Sequence, residues 1–175
     1  MTYYWILIFN RERIDRIDKD RLINALKLAN HETLCAQYIV DQALIPDALQ
    51  HLRLVTAQPG NTSIGALHYE LGERRPLIIY LWDVSRAAGS DLLTNLIKSN
   101  LSGDLMMQIR ETQQIIGIQI MSQQLKDMGL VFGYEIARWM ADQGQGLVRG
   151  LDGGWYCLNR YRAFLPLRTE AQNIA

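Results

Sequence analysis

The sequence predicts an α+β domain, in which an antiparallel or mixed sheet carries two β-α-β units, packed in the ferredoxin-like manner, around a central β-meander. Three observations predict it. Residues 52–82 hold three β-prone apolar segments separated by turn signals, first Pro59-Gly60-Asn61 and then the stretch from Gly72 to Pro76. The order strand 3–9, helix 18–30, strand 33–40 is matched later by strand 114–121, helix 130–143, strand 146–150. Residues 129–156 read at every level as a helix, a stop and a hairpin.

Taken in order, Tyr3-Tyr4-Trp5-Ile6-Leu7-Ile8-Phe9 is aromatic and apolar, the composition of a buried strand. The following charges nearly cancel, Arg11, Arg13, Arg16, Lys19 and Arg21 against Glu12, Asp15, Asp18 and Asp20. Asp18 or Asp20 then caps a helix whose inner face is Leu22, Ile23, Leu26 and Ala29. Residues 33–40 read as a returning strand. Pro46 suits the first turn of a short helix over 46–51. Segments 52–56, 64–70 and 77–82 make the meander. Ser90 caps a helix containing Leu92, Leu93, Leu96 and Ile97, and Ser102-Gly103 separates it from a shorter helical piece ending near Arg110. Ile116, Ile118 and Ile120 alternate as in a half-buried strand.

Gly129, Gly133, Ala137 and Ala141 recur every fourth residue, a slim helical stripe against which another backbone can approach. Phe132, Ile136, Trp139 and Met140 supply apolar bulk, and Glu135, Arg138 and Asp142 a polar edge. Gly144 stops the helix as a left-handed cap. Segments 147–149 and 155–158 flank Gly150-Leu151-Asp152-Gly153-Gly154, a hairpin signal. Phe164 to Leu167 still packs on the body. A single domain spans 1–168, and 169–175 forms a frayed polar tail.

At 175 residues, with 49% hydrophobic and 21% charged side chains, the chain can bury a core of its own. Eighteen basic and eighteen acidic residues balance, so no net field draws nucleic acid or an anionic membrane. Arg outnumbers Lys fourteen to four, a bias toward forked pairing with carboxylate or phosphate that genome composition also produces. Two distant cysteines, Cys35 and Cys157, form no secreted disulfide framework. The apolar N-terminus lacks a basic n-region and a cleavage site, and no run reaches the roughly 18 apolar residues of a span. The expected address is the cytoplasm.

No motif carries chemistry by itself. His31-Glu32-Thr33-Leu34-Cys35 is one letter from the H-E-x-x-H zinc pattern, but that pattern needs a helix, and on a strand i and i+4 lie about 13 Å apart. His51 and His68 offer no third ligand. The glycines at 144, 146, 150, 153 and 154 follow a helix, where the dipole has the wrong sign for phosphate. There is no G-x-S-x-G elbow, and Asp15, Asp18 and Asp20 lack calcium-loop spacing. Neither a metal nor a cofactor is expected. The C-terminal Arg149, Trp155, Tyr156, Arg160 and Arg162 interleave cations with aromatics, the residue types of binding hot spots. A hairpin with aromatics inward and arginines in water accounts for them equally.

The helix, Gly, Leu-Val strand and Asp-Gly turn of residues 129–156 resemble the C-terminal part of small bacterial α+β proteins, some thought to neutralise toxins. That resemblance covers this stretch alone. The reading is a non-catalytic interaction or regulatory module, binding another protein or pairing as a homodimer, with no membrane and no nucleic acid partner. The alternative is a small enzyme or binding protein whose Arg-lined pocket takes an anionic small molecule.

Overall fold

The computed structural model describes residues 2–59, 62–71, 75–98 and 101–167. The strands are β1 (Tyr3–Asn10), β2 (Arg53–Ala57), β3 (Ser63–His68), β4 (Leu77–Asp83), β5 (Gln114–Met121), β6 (Leu147–Arg149), β7 (Trp155–Leu158) and β8 (Phe164–Pro166). The helices are α1 (Lys19–Leu28), α2 (His31–Tyr38), α3 (Ile45–Gln50), α4 (Ala87–Ile97), α5 (Gly103–Arg110) and α6 (Met128–Gly144). All eight strands join one sheet in the order β2-β3-β4-β5-β1-β6-β7-β8. Every neighbouring pair is antiparallel.

The chain is thus α+β with a β2-β3-β4 meander, but the expected pair of β-α-β units is absent. Residues 33–40 are not a strand. Segment 31–38 is helical, and its β-prone end is where the helix stops: Ile39 is left-handed at φ 57° and its N–H closes on the Cys35 carbonyl. Packing decides the matter, because α2 buries His31, Leu34 and Cys35. His31 sits edge-on to Phe132 at 5.3 Å, and Tyr38 stacks on Tyr134 at 4.8 Å, both rings on α6. After β1 the chain therefore runs through three helices and re-enters the sheet at its edge. With this unit goes the basis for ferredoxin-like packing. The later segment does cross over: β5 and β6 flank β1, each antiparallel to it, and α6 joins them.

Alternation gives the sheet two faces. One packs Ile6, Ile8, Leu67, Leu77, Ile79, Leu81, Ile116, Ile118 and Ile120 against α1, α2, α3 and α6. The other packs Phe9, Ile115, Leu147 and Trp155 under Leu93 and Leu96 of α4 and Leu105 and Ile109 of α5. Asp18 caps α1 through the Arg21 N–H. Ser90 lies inside α4, whose N-cap is Arg86.

Gly144 is the last residue of α6, and the left-handed residue is Gln145 at φ 50°. The glycine serves a different purpose. A Cβ there would come within 2.1 Å of the Asn10 amide nitrogen, which donates to the Met140 carbonyl. The N–H groups of Arg11 and Glu12 both bond the Gly144 carbonyl, tying the end of β1 to the end of α6. Gly153 has the positive φ, 77°, expected of the hairpin. The predicted tail 169–175 and parts of the turns at 59–61 and 72–76 lie outside the described residues. No helix among the described residues is long and apolar enough to cross a membrane. Cys35 is a buried free thiol and Cys157 a half-buried one.

Candidate interaction surface

The face that α4 and α5 share is only partly covered. Strand alternation brings Tyr3, Trp5 and Leu7 of β1, Val55 of β2, Ile64, Ala66 and His68 of β3, and Ile78, Tyr80 and Trp82 of β4 to it. The Leu93–Ile109 cluster closes the Phe9–Trp155 end. Toward β2 the surface is open: Tyr3 is 42% and Val55 48% exposed, and Trp5, Tyr80 and Trp82 are half-buried. Three rings gather there, with Trp5 5.6 Å from Tyr80 and 5.8 Å from Trp82, and Tyr80 parallel to Trp82 at 5.4 Å.

Gly117 explains how the rings lie. A Cβ on it would meet Trp82 at 2.5 Å and Trp5 at 3.0 Å, so both indoles rest across the glycine in the middle of the sheet. A glycine inside a strand marks a close approach of this kind. The face is also electrically one-sided. Its strand positions carry Arg53, Arg149 and His68, and no carboxylate among the described residues. The buried His68 Nδ1 lacks a hydrogen-bond partner in the described structure.

The C-terminal residues singled out by sequence do not gather into one site. Arg149 lies over the Trp155 ring at 5.9 Å, and Trp155 is buried against Phe9 at 5.1 Å. Alternation turns Tyr156 to the opposite face, where its hydroxyl donates to Asp152. Arg160 covers Tyr161 at 4.6 Å, on the turn between β7 and β8. Arg162, left-handed at φ 60°, pairs with Asp142 of α6 at 3.1 Å.

Arg162 also borders a cleft of about 330 Å³ between α1 and α6, with Leu28, Ala29, Trp139 and Tyr161 as walls and Glu135 and Arg138 at its side. Glu135 is only 4% exposed, and burial pushes its carboxyl pKa up despite Arg138. Its Oε1 is 3.3 Å from Arg138 Nη1 without the alignment of a hydrogen bond. The Arg138 guanidinium lies over Phe164 at 5.3 Å. Both arginines of this cleft are thus occupied by carboxylates.

The His31–Cys35 geometry differs from the expectation. On α2 the two share a helical face and do not diverge, since i and i+4 stand one above the other. Cys35 Sγ meets Met128 Sδ at 4.0 Å, and His31 Nε2 is 2.7 Å from the Leu26 carbonyl. Among the described residues no three His, Cys, Asp or Glu gather to hold an ion. At the start of α6, Asp127 caps through the Gly129 N–H at 2.6 Å and accepts from Tyr69 at 3.1 Å. Gln124 donates to that tyrosine and to the Arg75 carbonyl. Burial raises the pKa of both Asp127 and Tyr69, and the network holds the helix start in place.

Sequence reading placed Trp5, Tyr80 and Trp82 on strands but not together, because they meet only through the β1-β5-β4 pairing. The signal available was Gly117, set between Ile116 and Ile118 where a strand would otherwise carry a side chain. Compared with protein-family models, with curated proteins and with solved structures, the chain matches none of them.

Proposed function

We propose that this protein is a non-catalytic interaction module that takes a protein partner on the open face of its sheet. The observation that carries the reading is the Trp5–Tyr80–Trp82 group, laid over Gly117, half-buried, and touched by the α4–α5 cluster at Trp82. Large aromatic anchors of low conformational freedom dominate protein interfaces, and Arg is enriched beside them. Charge selects the kind of partner. A face whose described strand positions bear Arg53, Arg149 and His68 and no carboxylate favours an apolar patch with an acidic rim. A toxin-neutralising role, which the resemblance of residues 129–156 implies, is one form such capping of another protein would take.

The test is a photo-crosslinking side chain at Ala66, on the open face, against the same group at Glu32, exposed on α2. The expected adduct is a protein joined through an acidic peptide, formed at residue 66 and not at 32, and lost when Arg53 and Arg149 are reversed to Glu. Equal yields at the two positions would end the reading, as would a nucleic acid adduct at residue 66.

A second reading, a small anionic molecule in the α1–α6 cleft, is favoured by Arg138 and Arg162 at its wall. It ranks lower because an anion would have to displace Glu135 and Asp142 from those arginines.

A further inference from the structure

The two edges of the sheet differ in how they meet solvent. β8 is three residues long and ends in Pro166, which has no N–H to offer a neighbour. Short strands and prolines are the means by which proteins protect an edge from pairing. β2 has neither: it is five residues, Arg-Leu-Val-Thr-Ala, with no proline or lysine, and only Leu54 is buried. One side of β2 is filled by β3, through pairs from Arg53↔His68 to Ala57↔Ile64. On the other side, Leu54–Ala57 receive no backbone hydrogen bond from another described element. Half of their N–H and C=O groups therefore face outward, as a template for one more strand.

We infer that β2 pairs antiparallel with β2 of a second copy of this chain, joining two sheets edge to edge. The strand complements itself. A twofold axis through Val55 sets that residue against its counterpart, Leu54 against Thr56 and Arg53 against Ala57. β-Branched Val55 and Thr56 suit such cross-strand contact. The two Arg53 side chains fall four positions apart along the strands, about 14 Å. That exceeds the screening length of about 10 Å at 0.1 M salt, so like charge does not oppose the pairing strongly. A centre placed half a residue either way would set inward-facing residues opposite outward-facing ones.

The axis stands perpendicular to the sheet, so the open faces of both copies point the same way. Dimerisation leaves the aromatic face of each copy free and sets the two side by side. The inference stands whether or not that face takes a partner.

Val55 is half exposed, so a change there tests association with little cost to the fold. Light scattering over a dilution series should give a dimer mass for the wild type. Val55→Lys and Val55→Glu, each alone, set like charges face to face and should weaken association at least about tenfold. Mixing the two should restore the dimer mass, since the centre then holds an opposite pair. A monomeric wild type at every concentration would overturn the inference, as would undiminished dimerisation of both single variants. Should either variant fail to fold, hydrogen exchange of the wild type decides. Protection at residues 54–57 that rises with protein concentration supports the edge, and protection independent of concentration refutes it.

Discussion

His31 illustrates what a single side chain contributes and what hides it from sequence. It is 3% exposed, with Nε2 against the Leu26 carbonyl and Nδ1 without a partner. Burial, assisted by nearby Arg138, lowers its pKa from the ordinary 6.5, and the Leu26 hydrogen bond opposes the shift only in part. As pH falls through about 6.5 the unfolded chain takes up a proton that the folded one refuses, so the folded state loses stability below that point. Glu135 and Asp127, raised by burial, act in the opposite direction, their contribution being present at low pH and lost as pH rises. Comparison with His31→Gln isolates the histidine, because those two groups remain in both proteins. Thermal midpoints between about pH 7.5 and about pH 5.5 should fall more for wild type than for the variant. Equal slopes would mean that the imidazole titrates alike in both states. The sequence marked His31 only as part of a broken zinc pattern, since its burial depends on α6, about a hundred residues further along.

At the scale of elements, α6 was legible and α2 was not, and the reason is the length of the pattern. Four small residues at strict spacing identify a helix without reference to anything else, whereas the eight residues of α2 carry β-branched Thr33 and run from Tyr38 straight into Ile39-Val40. Local preference lost there to the burial of Leu34 and Cys35. The stripe on α6 does meet the sheet: a Cβ at Gly133 would stand 2.8 Å from Ile120 Cδ1 and 3.4 Å from Ile6 Cδ1, and both isoleucines are fully buried. A methyl end can yield by a few tenths of an ångström, but the three further carbons of leucine have no such room. Gly133→Leu gains up to about 1 kcal/mol in helix propensity and loses about 1–3 kcal/mol to overpacking. Net destabilisation in urea is expected, with Gln143→Ala close to wild type as control. A Gly133→Leu protein as stable as its parent would show that α6 does not rest closely on β1 and β5.

For the whole molecule, the sequence revealed the meander because its turns are local, while the centre of the sheet is assembled from afar. Ile6 pairs with Ile118 and Ile8 with Ile116, and nothing near either segment names the other as its neighbour. The same holds for the open face, whose rings come from β1 and β4 and whose resting place is on β5. This layout sets an order of local stabilities. β1 and β5 are flanked by strands on both sides, and their inner residues, Ile6, Ile8, Ile116 and Ile118, are wholly buried. β8 is an edge of three residues, held by β7 and by the Leu167 N–H on the Trp155 carbonyl. Opening β8 exposes little, so its amides should exchange through local motion, while those of β1 and β5 should require unfolding of the whole domain. Hydrogen exchange under native conditions should therefore find the slowest amides at residues 6–8 and 116–118, and those of 164–165 exchanging faster by several powers of ten. Equal protection at 164–165 and 116–118 would mean that the sheet opens as one unit from edge to edge, and that β8 is as firmly fixed as the strands at its centre.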